Sequence, residues 1–137
     1  EPLQCYADNR KIWLNLRDIF PHPYTLEDAR WWVAHASQQE PECSFAIATA
    51  DEPIGGIGLV PGEDVNRFCA ELGYWLAEPF WGRGITTDAV RAFTEWGFEH
   101  FTLNRILAAP FADKVASERV LEKAGYVCEC VLKNAVI

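Results

Sequence analysis

The segment Trp81-Gly82-Arg83-Gly84-Ile85-Thr86-Thr87 carries the residue types and spacing best suited to chemistry. Two glycines one residue apart, just before a predicted helix over Thr87–Phe101, allow backbone angles that other residues resist. They also leave the amides uncovered. The free N–H groups that open a helix, aided by its dipole, then suit a phosphate or pyrophosphate. Arg83 adds a cation. The bland alternative is a plain tight turn. The loop lacks the Lys-Ser or Lys-Thr ending of a P-loop and is not the GxGxxG dinucleotide fingerprint. Of the 3 histidines, His35 and His100 form no HxxxH or HExxH pair, so no metal is expected. Five cysteines (Cys5, Cys43, Cys69, Cys128, Cys130) contain no CxxC pair. Neither a disulfide nor a zinc clamp is expected from them.

Around that loop the sequence predicts a mixed α/β domain. Ile12, Trp13 and Leu16 fall at helical spacing within Asp8–Arg17, and two prolines make Ile19–Tyr24 an extended loop. Thr25 and Asp28 form a near capping box that opens a helix running to about Ser37. Cys43–Thr49 and Ile54–Val60 read as strands joined by a turn at Ala50–Pro53, with a bulge or close approach at Gly55, Gly56 and Gly58. Phe68–Leu76 is apolar on both faces and is expected to be central in the sheet. Arg105–Phe111 is a strand, Ala116–Ala124 a helix stopped by Gly125, and Tyr126–Leu132 a last strand. Antiparallel hairpins thus precede a strand–helix–strand unit with parallel strands.

With 137 residues, half of them hydrophobic, the chain has the material for one globular domain with a core. No apolar run approaches the ~20 residues of a membrane helix. A net charge of −8 argues against nucleic acid and anionic membranes as partners. Odd cysteine usage without a signal peptide points to a reducing cytoplasm. The absence of methionine implies a chain slightly longer than this one.

The run from Gly73 through Val90, Gly-Tyr-Trp-Leu-Ala-Glu-Pro-Phe-Trp-Gly-Arg-Gly-Ile-Thr-Thr-Asp-Ala-Val, resembles the acetyl-CoA-binding segment of the GNAT N-acetyltransferases. It is most similar to the branch containing ribosomal-protein N-terminal acetyltransferases of the RimJ/RimL type. Ala116–Tyr126 resembles that branch's second signature. The resemblance covers Asp8 to Leu132. It implies one GNAT domain over 1–137, clipped at both ends, with a mixed central sheet, flanking helices and a missing first strand. Four positions depart from the family pattern. Trp81 stands where Gln or Arg is usual, Thr86 takes the small last place, and Lys114 takes the place of an Asn, followed by Val115 instead of Pro.

The resemblance further implies direct transfer of acetyl from acetyl-CoA to a primary amine, without a metal. It assigns the cofactor to Tyr74, Trp75, Leu76, Trp81, Gly82, Arg83, Gly84, Ile85, Thr86, Lys114 and Ser117. Glu71, the one carboxylate in an apolar strand, is the expected base, and burial there would suit it to take a proton. Its alternative is a structural ion pair with an Arg. Ser117 is the expected contact for the departing thiolate, with an ordinary helix-start serine as the alternative. His22 and Tyr24 are expected to line an acceptor pocket, and Tyr126 to pack. Trp31 and Trp32 point two ways on their helix, so one is expected in the core and the other at that pocket or a homodimer surface. The acceptor is a protein N-terminal α-amine or a small-molecule amine. The rival function is a non-catalytic acyl-CoA-binding module on the same fold.

Overall fold

The structure is a computed structural model, and it describes residues 1–135. Three helices come first: α1 (Pro2–Ala7), α2 (Arg10–Trp13) and α3 (Leu26–Ser37). A hairpin of β1 (Ser44–Ala48) and β2 (Pro53–Pro61) follows, then β3 (Cys69–Leu76), α4 (Ile85–His100), β4 (Arg105–Leu107) and α5 (Val115–Lys123). The sheet order is β1-β2-β3-β4, antiparallel except for the β3–β4 pair. This mixed topology follows from connection length. Tight turns can join antiparallel neighbours, whereas the parallel return from β3 to β4 needs the α4 crossover.

The main core lies where α4 and α5 cover one sheet face. Ile54, Ile57, Leu59, Ala70, Leu72, Leu76, Val90, Phe93 and Leu121 are buried there. Gly97 of α4 permits this close packing, since a Cβ on it would sit 2.8 Å from Leu59 Cδ1. A smaller core of Ala7, Tyr24 and Ala29 covers the other face, with Leu3, Phe20 and Trp75 against it. Alternation along β3 divides its residues between the two layers.

The Thr25 box holds, while several other expectations need correcting. The helix expected over Asp8–Arg17 is only the four residues of α2, started by Asn9, whose side chain accepts from the Lys11 amide at 2.8 Å. That cap separates it from α1, which the apolar spacing did not indicate. The Thr25 capping box is fully formed, with both reciprocal hydrogen bonds. The bulge lies opposite Ile47 and Ala48, which pair with Gly55 and Pro53. The strand expected over Arg105–Phe111 stops at Leu107 because β4 parts from β3 there. Tyr126–Leu132 forms no strand: nothing among the described residues pairs with it, and an unpaired strand leaves its backbone groups unsatisfied. Neither Trp31 nor Trp32 enters the core. They are 64% and 40% exposed, and α3 buries Ala29 instead.

Candidate active site

β3 delivers the chain to the loop before α4. A single 3-10 turn, Glu78–Phe80, precedes Trp81. Gly82 and Gly84 then take φ of +74° and +77°, and Gly84 is the N-cap of α4. A side chain would strain both positions. No side chain among the described residues caps this helix. The amides from Gly82 through Thr87 donate to no protein acceptor among the described residues; the first bond runs from Asp88 N–H to the Gly84 carbonyl at 3.1 Å. Apart from its chain neighbours, a Cβ built on Gly82 or Gly84 would meet no atom of the described residues within 4 Å. Unpaired donors at the positive end of a 16-residue helix therefore face open space. Ile85 packs its side chain against the main core, and Thr86 is half-buried beside it.

Three side chains pin this loop from outside the nest. The Trp81 indole N–H donates to the Leu76 carbonyl at 2.7 Å. Arg83 donates to the Pro79 carbonyl at 3.1 Å, and its guanidinium lies 5.5 Å from the Phe80 ring centre. Arg83 is thus folded back on its own loop, away from a phosphate-facing position. Glu78 accepts from Asn9 Nδ2 at 2.7 Å and pairs with Lys11, and these partners, Lys11 foremost, hold its carboxyl below the usual range.

Beyond Glu71 and Leu107 the strands β3 and β4 no longer pair. The Ala77 amide donates to the Ile54 carbonyl of β2, so the odd-numbered residues of β3 turn their backbone groups toward β2. Tyr74 and Leu76 therefore present theirs on the opposite, open edge. The Tyr74 hydroxyl reaches across the gap to the Ser117 carbonyl at 3.4 Å, in the first turn of α5. Burial pushes the Tyr74 phenol above its ordinary value. Lys114 is the N-cap residue of α5, and its ammonium lies 3.2 Å from the Asp113 carboxylate. Tyr126 packs on the main core, its hydroxyl 2.7 Å from Thr94 Oγ1.

The other sheet face shows a different arrangement from that expected. Glu71 shares this face with Trp75, but it is ion-paired with Arg17, and its side chain is 33% exposed. Tyr24 is 5% exposed and stacked on Phe20, so it builds the smaller core and lines no open pocket. His22 stacks on Trp13 and lies 3.7 Å from Asp8. A cavity of about 290 Å³ opens on the neighbouring surface, lined by Cys5, Tyr6, Asp8, Asn9, Glu78 and Pro79. Sequence reasoning missed Asp8, Asn9 and Glu78. Glu78 stands only three residues before Trp81, and that adjacency was the available signal. No group of three or more His, Cys, Asp or Glu suited to a metal occurs among the described residues. No helix among them is long and apolar enough to cross a membrane.

The description "Acetyltransferase (GNAT) domain" matches residues 2–127. The chain belongs to this family. As a GNAT domain it is 33% identical over 118 residues to the probable N-acetyltransferase YjcK of Bacillus subtilis, covering 82% of this chain and 65% of that protein. It is 34% identical over 91 residues to the ribosomal-protein-serine acetyltransferase of Escherichia coli, covering 66% of this chain and 50% of that one. The match thus spans two thirds or less of these curated relatives. The GNAT fold is shared with a solved structure of RimL, a ribosomal alpha-N-protein acetyltransferase, in complex with coenzyme A. That likeness has a TM-score of 0.82 at 23% identity over 98% of this chain and 78% of the other.

Proposed function

We propose that this GNAT domain is an acetyl-CoA-dependent N-acetyltransferase acting on a primary amine, with a protein N-terminal α-amine as first choice of acceptor and a small-molecule amine as second. The observation that carries the reading is the array of unpaired amides from Gly82 to Thr87 at the start of α4, open in front and held by glycines at positive φ. Such a nest fits the pyrophosphate of CoA. The chain's similarity to a ribosomal-protein-serine acetyltransferase supports a protein acceptor. Five free cysteines suit a reducing cytoplasm.

Acetyl-CoA, when bound, supplies an activated acyl thioester. The chain supplies the rest. The nest fixes the pyrophosphate, and the open edge at Tyr74 and Leu76 offers backbone groups that can pair with the extended arm. Trp75 is carried on the same strand, Ser117 lies beside Tyr74 for the sulfur, and Lys114 stands at the head of α5 for cofactor charge. Glu71 accepts the acceptor's proton after exchanging its Arg17 contact. An α-amine, with an ordinary pKa of about 7.7–8.0, needs little help near pH 7, whereas a lysine at about 10.4 costs roughly 4–5 kcal/mol to deprotonate. The acceptor enters along the cavity between Asp8–Asn9 and Glu78–Pro79, with His22 at its border through Asp8.

One observation favours a second reading. Glu71 is ion-paired with Arg17, and a Glu71 that keeps this contact takes no proton, as suits a non-catalytic acyl-CoA-binding module. Titrating the protein with CoA and then following CoA release from acetyl-CoA with N-terminal peptides separates the two. Binding with turnover supports the enzyme; binding without turnover on any amine supports the module. No binding at all overturns both.

A further inference from the structure

We propose that Trp81 is a positioning residue that joins the two halves of the cofactor site. The inference rests on the reading of the Gly82–Thr87 nest and the β3 edge as a CoA site. Among the described residues the Trp81 side chain belongs to neither core: it is 42% exposed, and its side-chain hydrogen bond is the 2.7 Å one from its indole N–H to the Leu76 carbonyl. That carbonyl belongs to a residue whose backbone groups point to the open edge of β3, where no strand among the described residues accepts or donates. The bond therefore has two effects. It takes the Leu76 carbonyl out of the edge, leaving the Tyr74 carbonyl as the acceptor and the Leu76 N–H as the donor nearest the loop. It also ties the residue directly before Gly82 to the strand end, which sets the separation between that edge and the amide nest.

A CoA molecule spanning both places needs that separation fixed before it binds. Without the tie the competent arrangement is one of several, and apparent affinity falls in proportion to its population. A net hydrogen bond of ordinary strength corresponds to about a fivefold change. Trp81→Phe keeps an aromatic ring and removes the N–H, while Trp81→Gln removes the ring and offers an amide N–H to the same carbonyl.

The test compares the wild-type chain, Trp81→Phe and Trp81→Gln by calorimetric titration with CoA, by melting temperature without ligand, and by KM and kcat for acetyl-CoA. The expected result is a Kd for CoA about fivefold weaker for Trp81→Phe, with KM following Kd. Saturated kcat stays within about twofold, and Trp81→Gln lies nearer to wild type than to Trp81→Phe. A purely structural tryptophan would instead lower both melting temperatures and leave Kd unchanged. A Kd for Trp81→Phe within twofold of wild type, or a Gln variant as weak as the Phe variant, overturns the proposal. Absence of CoA binding by the wild-type chain overturns the site itself, a separate outcome.

Discussion

Gly84→Val separates the cost of folding from the cost of binding. Gly84 sits at φ +77° as the N-cap of α4, and apart from its chain neighbours a Cβ there would meet no atom of the described residues within 4 Å. The free protein therefore loses only backbone strain, about 1–2 kcal/mol for an L-residue in the left-handed region, somewhat more with a β-branched side chain. For a domain of this size that corresponds to a fall in Tm of roughly 3–8 °C. The ligand suffers differently, because the isopropyl group would fill the space in front of the free amides. In the wild type, CoA at a hundredfold excess over Kd should stabilise the fold by about 2.7 kcal/mol, and in the variant that gain should vanish. Thermal melts with and without CoA, backed by titration calorimetry, read both quantities. A folded Gly84→Val protein with wild-type CoA affinity would refute the placement of the pyrophosphate.

Two further outcomes follow from the same structure. Glu71→Gln should lower kcat at least tenfold at neutral pH while leaving the Kd for CoA nearly unchanged; a wild-type rate profile from pH 6 to 9 would make the Arg17–Glu71 pair purely structural. Glu78, whose carboxyl is held below its ordinary 4.5 by Lys11 and Asn9, contributes stability that is present above that value and lost as pH falls through the lower folded value. Melting temperatures of wild type and Glu78→Gln should accordingly differ most near pH 7 and converge below about pH 4, and a gap that persists in acid would show that the contribution is not the charge.

Local chemistry was legible in the sequence where it is set by neighbours in the chain. The Thr25–Asp28 box needs residues only three apart, and Gly82 and Gly84 announce backbone angles that their own φ values display. The strands of the hairpin and the long helix after the loop followed from periodicity. Contacts between distant residues were not legible. Arg17 meets Glu71 across 54 positions, and Asn9 meets Glu78 across 69, so no spacing rule could pair them. Tyr24 looked like a pocket wall because Pro21 and Pro23, both just before it, suggested an extended loop, yet its ring completes the small core. Tyr126–Leu132 has the alternation of a strand, but alternation supplies no partner, and without one the segment stays irregular.

The central claim is that this nest and edge hold acetyl-CoA for transfer to an amine. Incubation of the purified chain with acetyl-CoA and a mixture of short peptides, some with free N-termini and some N-terminally blocked with a single lysine, tests it most directly. Mass spectrometry of the peptides and assay of released CoA give the answer. The account predicts one acetyl group per free N-terminus, stoichiometric CoA release, and faster reaction at the α-amine than at lysine near pH 7. Tight CoA binding with no acetylated product from any amine would contradict it.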